Sequence, residues 1–171
     1  MAVLLPEAML ASMRVVSNMP IEPATTVEHS SEANDQHRPI LLSQSQRRQI
    51  VQHLVRWLPF EACGLIATVP NGADDRAAHF FPGTNVDLSE TRFTMSPGEV
   101  IDAMRQMRAA GWQLGAIVHS HPRSPATLSR TDLREAYYPD ARLIVVSLAG
   151  VPPEFGCWSR VGDLEARTFV R

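Results

Sequence analysis

The segment RLIVVSL, Arg142 to Leu148, constrains the fold most. β-branched residues crowd a run of strand length, which calls for sheet pairing and burial. Trp112 to Val118 is a second compact apolar strand. Ala62 to Val69, stopped by the turn signal Pro70-Asn71-Gly72, and Ala77 to Phe81 read as two more. Helical spacing separates these runs. Structure begins at Ile40-Leu41-Leu42. Ser43 or Ser45 caps a helix carrying Ile50, Val51, Leu54, Val55 and Leu58, and Pro59 ends it. Residues 82 to 96 read as loop. Ser96-Pro97-Gly98-Glu99 then opens a second helix, with Val100, Ile101, Met104, Met107 and Arg108 carrying its amphipathic pattern to Gly111. A third helix is expected from Ser129 to Tyr138, ended by Pro139, and edge strands at Phe155 to Arg160 and Ala166 to Val170. Strands alternating with helices, and a β-rich second half, predict a mixed α/β (α+β) domain with helices packed on a sheet.

At 171 residues the chain has single-domain size, with room for one real core. Ser17 to Pro39 holds hardly any large apolar residue, too little to offset the entropy of ordering it, so residues 1–39 are expected to be a disordered tail and 40–171 the folded domain. The net charge of -2 comes with scattered Lys and Arg, which leaves no electrostatic footprint for nucleic acid. No run of about eighteen apolar residues crosses a membrane. The opening MAVLLPEAML lacks a basic start and is broken by Pro6 and Glu7, so it does not read as a signal sequence. Two cysteines, Cys63 and Cys157, lie outside any CxxC spacing, which suits a reducing compartment and a cytoplasmic protein.

The chemistry concentrates where the Trp112–Val118 strand runs out, at His119-Ser120-His121-Pro122. Residues two apart on a strand share a face and lie about 6.6 Å apart along it, so the two imidazoles can converge while Ser120 turns away. Neutral imidazole is a standard zinc ligand, and a catalytic site normally takes three protein ligands. Asp132 is the best third candidate, because it sits in the first turn of the helix after a loop able to fold back. Ser129, three residues earlier, could present its hydroxyl to the same cleft as an oxyanion donor. Taken alone, Ser129-x-x-Asp132 reads better as the first half of a helix capping box. His29, His37, His53 and His79 have no ligand-type partner nearby and take no role. What favours a metal is the coincidence of these residue types at a strand exit and a helix entry.

His119-x-His121-Pro122, continuing through Leu128 to Ser129-x-x-Asp132, resembles the JAMM motif of the MPN-domain metalloproteases. That family places a glutamate near the strand after the first helix, and PFEACGL puts Glu61 there. The resemblance runs from about Ile40 to Arg171 and is closest to the small prokaryotic members. It implies a curved mixed sheet flanked by helices, with a cytidine-deaminase-like architecture. It implies Zn²⁺ held by His119, His121 and Asp132, water as nucleophile, Glu61 as general base and Ser129 steadying the oxyanion. Without the motif, Glu61 would read as a solvated loop residue.

The activity implied is a zinc-dependent metallopeptidase or isopeptidase cutting the amide after the C-terminal glycine of a ubiquitin-like or sulfur-carrier protein, with release of cysteine in sulfur metabolism as one form. A homodimer is compatible with this reading. The alternative is an inactive MPN scaffold for protein–protein interaction, but scaffolds lose motif residues and all five are present here. The HxHxDH, HExxH and GxSxG signatures of other hydrolases are absent.

Overall fold

A computed structural model describes residues 38–134, 138, 140–161 and 164–168. In chain order the elements are β1 (Ile40–Leu41), α1 (Gln44–Val55), β2 (Cys63–Asn71), β3 (Asp74–Gly83), α2 (Pro97–Ala110), β4 (Gln113–His121), α3 (Arg130–Arg134), β5 (Arg142–Ser147), β6 (Glu154–Val161) and β7 (Leu164–Thr168). The strands form one seven-stranded mixed sheet in the order β1-β3-β2-β4-β5-β6-β7. β4 pairs antiparallel with β2 and parallel with β5. It lies at the middle of the sheet, and its near-continuous apolar run suits a strand covered on both faces.

The period of two in each strand sorts the core into two layers. Cys63, Leu65, Ala67, Phe81 and Ile117 pack with Val100, Ala103 and Met107 of α2. Ile66, Phe80, Ala116, Val118, Ile144 and Val146 pack with Ile50 and Leu54 of α1. Continuing the same alternation along β4 carries His119 and His121 onto the α2 side and Ser120 onto the α1 side.

Local chemistry sets the helix ends. Ser43 is the α1 N-cap, and the capping box is complete: its hydroxyl accepts from Gln46 N while the Gln46 side chain accepts from Ser43 N. α1 stops at Val55 instead of running to Pro59. Only Ile50 and Leu54 of its expected apolar stripe are buried, and Val55 and Leu58 are exposed. Main-chain turns fill the gap up to Phe60. α2 begins at Pro97, whose missing N–H costs nothing at that position, and Gly111 closes it with φ 67°, a left-handed value glycine adopts without strain.

Three strand ends differ from the sequence expectation in a way that matters. β2 and β3 run through to Asn71 and Asp74, because Pro70 and Asn71 still pair across the ladder. β4 extends to His121, so both histidines belong to the strand itself. α3 spans only Arg130–Arg134; the remainder of the expected third helix falls largely outside the described residues, as does most of the N-terminal tail, with His29 and His37. No helix among the described residues is long and apolar enough to cross a membrane.

Candidate metal centre

β4 delivers the two imidazoles. His119 is 1 % exposed and His121 is also buried, with Nε2 atoms 3.3 Å apart. β4 and β5 are parallel, so the chain between them must cross over, and residues 122–128 bring Asp132 back to the strand end. One Asp132 oxygen lies 3.4 Å from His119 Nε2 and the other 3.7 Å from His121 Nε2. Asp132 is 2 % exposed.

These three side chains can each offer one donor atom to a common ion. For metal–ligand bonds of about 2.0–2.1 Å, neighbouring donors of a tetrahedral centre stand about 3.3–3.4 Å apart. The two imidazole nitrogens stand at that edge length, 3.3 Å apart, and Asp132 offers a different oxygen to each at 3.4 and 3.7 Å, so the donor set suits a divalent ion in its chemistry. His121 is oriented for ligation: its Nδ1–H donates to the Pro125 carbonyl at 2.9 Å, which leaves Nε2 to face the cluster. His119 Nδ1 has no hydrogen-bond partner among the described residues. Its ring is instead held by Phe93, stacked at 4.9 Å with 24° between planes.

The electrostatics of the cluster follow from burial and pairing. Burial holds the His119 imidazole below its ordinary pKa and keeps it neutral. Burial also opposes charge on His121, but its hydrogen bonds to Asp132 and to the Pro125 carbonyl prevail and raise it. Asp132 resists burial in the same way. Hydrogen bonds from both histidines and from Ser129 N hold its carboxyl far below the usual range. An anionic carboxylate facing two imidazoles is a ready cation site.

Ser129 and Asp132 form the capping arrangement that the sequence also allowed. Ser129 N donates to Asp132 Oδ2 at 2.6 Å, and the Ser129 hydroxyl accepts from Asp132 N at 3.2 Å. The cap therefore does not exclude a ligand role for Asp132, because the cap aims its carboxylate at the two imidazoles. Ser129 itself is exposed, and accepting that bond leaves its hydroxyl proton available to donate.

Glu61 immediately precedes β2 and is buried, with Oε2 lacking a hydrogen-bond partner among the described residues. Burial pushes its carboxyl up to about 7; His121 pulls it down and Asp132 pushes it up, which places Glu61 within electrostatic reach of the cluster. Its main chain is clamped on both sides. Glu61 N donates to the Ser89 carbonyl at 2.8 Å, and the Glu61 carbonyl accepts from Asn85 Nδ2 at 2.8 Å. The next residue is tied to β4, where Ala62 N donates to Ser120 Oγ and Ser120 N to the Ala62 carbonyl, both at 2.9 Å. Ser120, turned away from the histidines, thus joins the Glu61 segment to the ligand strand.

Sequence reading missed several supporting residues. Asn85 and Phe93 lie in the 82–96 stretch, which has no periodicity to mark a buried side chain. The ligand loop has its own seat: Ser147 Oγ donates to the Ser124 carbonyl at 2.7 Å, and a Cβ on Gly156 would come within 2.2 Å of the Ala126 carbonyl oxygen. Gly156→Ala should therefore push out the loop that carries Pro125. The expected result is a loss of about 1–3 kcal/mol in denaturant unfolding, with weaker metal retention. An unchanged unfolding midpoint would show that the loop does not rest there. His53, read as a non-ligand, donates from Nε2 to the Cys63 carbonyl at 3.0 Å.

Comparison with known proteins agrees with this geometry. Residues 43–161 match the family model described as prokaryotic homologs of the JAB domain. Proteins named CysO-cysteine peptidase in Mycobacterium bovis and Mycobacterium tuberculosis are 39 % identical over 98 residues, which is 57 % of this chain and 66 % of theirs, slightly under two thirds of their length. The solution structure of a Desulfitobacterium hafniense protein superposes with a TM-score of 0.71 at 32 % identity, covering 77 % of this chain and 91 % of that one. A Salinibacter ruber protein superposes with a TM-score of 0.57 at 28 % identity, over 77 % and 89 %. With the sheet, the convergent His-His-Asp cluster and a family match over most of the folded segment, the chain belongs to the prokaryotic JAB-domain family, the small prokaryotic branch of the JAMM/MPN proteins.

Proposed function

We propose that this chain is a zinc-dependent hydrolase that cuts the amide bond after the C-terminal glycine of a sulfur-carrier or ubiquitin-like protein, with cysteine as the favoured leaving group. The observation that carries the reading is the buried cluster of two imidazoles and a carboxylate with converging donor atoms, and a buried carboxyl, Glu61, within electrostatic reach of it. The substrate class is supported by the mycobacterial relatives, which are named CysO-cysteine peptidase. Residues 40–171 would form the catalytic domain, and two buried thiols, Cys63 and Cys157, suit a reducing compartment such as the cytoplasm.

His119, His121 and Asp132 would hold the zinc. When bound, zinc supplies Lewis-acid polarisation of the scissile carbonyl and lowers the pKa of water toward about 7. Glu61 takes a proton from the attacking water as the new C–O bond forms, then hands it to the leaving nitrogen as the C–N bond breaks. A carboxyl raised by burial suits both halves of that task, since it must accept a proton and later release it. The Ser129 hydroxyl donates to the carbonyl oxygen as negative charge collects on it.

The test uses a carrier protein bearing cysteine in amide linkage on its terminal glycine, with products followed by mass spectrometry. Zinc-loaded chain should release free cysteine and the shortened carrier. Chelator treatment should abolish release, and added zinc should restore it. A chain holding one zinc per molecule that leaves carrier conjugates uncut would overturn the hydrolase reading in favour of a binding scaffold.

A further inference from the structure

Glu61 presents a positioning problem. With no hydrogen bond to Oε2 among the described residues, the direction of its carboxylate must be set largely from its own main chain. That main chain rests on the loop between β3 and α2. Thr84, at the base of the loop, is pinned by Glu99 in the first turn of α2, whose carboxylate accepts from Thr84 N at 2.7 Å and from Thr84 Oγ1 at 2.8 Å. Asn85 comes next. It is 0 % exposed and uses its full hydrogen-bonding capacity. Oδ1 accepts from Asp87 N at 3.0 Å and Thr94 N at 3.1 Å, while Nδ2 donates to the Arg92 carbonyl at 3.1 Å and to the Glu61 carbonyl at 2.8 Å. Three of these bonds close the loop on itself, and the fourth reaches across to Glu61. The closed loop also presents the Ser89 carbonyl to Glu61 N and stacks Phe93 on His119.

We propose that Asn85 is a positioning residue for the hydrolytic reaction: its buried amide locks the 84–96 loop and grips the Glu61 carbonyl, holding the Glu61 carboxylate in register with the His119–His121–Asp132 cluster. Only a side chain with paired donors and paired acceptors, at this length, meets two carbonyls on one side and two N–H groups on the other. The inference rests on the hydrolase reading above, because it assigns Asn85 a role through Glu61.

A double-mutant cycle on the full-length, zinc-loaded chain tests it, with the carrier–cysteine conjugate as substrate. Asn85→Ala should lower kcat about 10–100-fold, as small misplacements of catalytic groups do, with KM and zinc stoichiometry close to wild type. In a Glu61→Gln background the same change should cost no more than about twofold, because the group it positions is already lost. If the two losses multiply, or if Asn85→Ala keeps wild-type kcat, the positioning role is overturned. If Glu61→Gln alone turns over normally, Glu61 is not the group being positioned and the proposal is overturned, whereas the hydrolase reading itself fails only if the zinc-loaded wild-type chain leaves the conjugate uncut, a result that the cycle separates from failure at Asn85. Asn85→Ser replaces alanine should that variant not fold. An NMR measurement needs neither metal nor turnover: in the wild-type chain the Asn85 side-chain amide protons should exchange slowly, and rapid exchange would overturn the clamp whatever the variants do.

Discussion

Glu61→Gln should leave the chain loaded with metal yet lower turnover by about 10²–10⁴-fold, the range expected when a general acid–base group is removed. Glutamine keeps the shape of the side chain and cannot shuttle the proton. The main-chain bonds to Ser89 and Asn85 are untouched by the change, so the fold around it should persist. Thermal stability should even rise slightly, since a buried carboxyl gives way to a neutral amide. Metal analysis and kcat on the carrier–cysteine conjugate, measured on one preparation, decide the matter. Full zinc with retained turnover would remove Glu61 from the chemistry. Lost zinc would make it a ligand instead.

Asp132→Ala should have the opposite signature, with metal lost first and activity lost with it. The carboxylate is the anionic member of the cluster and stands within 3.7 Å of both Nε2 atoms. Its removal leaves two buried imidazoles with no counter-charge. The cost in metal affinity should exceed the roughly 10–100-fold typical of losing a supporting hydrogen bond alone. It also deletes the Ser129 N-cap bond at the start of α3, so a modest loss of stability, about 1 kcal/mol, should accompany it. Equilibrium zinc titration against a chelating indicator measures the first effect and denaturant unfolding of the metal-free chain the second. Wild-type zinc affinity in Asp132→Ala would rule out the proposed ligand set.

Much of this molecule was legible in residue order because its signals are local. The β-branched crowding of RLIVVSL marks β5, and the alternation along LGAIVHSH places His119 and His121 on one face. Ser43, Pro97 and Gly111 announce their helix ends through chemistry confined to a single turn. The His-His-Asp cluster was legible for a further reason: its residues sit at a strand end and a helix start, joined by a loop whose length is visible in the sequence.

What was not legible depends on contacts between segments far apart in the chain. Val55 and Leu58 continue the apolar run of Ile50 and Leu54, yet both are exposed: Val55, the last residue of α1, stands about 100° around the helix from Leu54, and Leu58 lies beyond the helix end. Ser129-x-x-Asp132 looked like a choice between a cap and a ligand. In the fold the two are compatible, since the cap aims the Asp132 carboxylate toward both imidazoles.

By itself, then, the sequence determined which residues alternate into the sheet, where helices begin, and which three side chains could meet a metal. Each depends on backbone period or neighbour chemistry within a few residues. Only the tertiary structure decided that a featureless stretch around Asn85 and Phe93 would close over Glu61 and His119, and that β5 and β6 would seat the loop behind His121. Those contacts join residues tens of positions apart, and their partners are mostly backbone carbonyls and amides, which every residue carries and no sequence pattern marks.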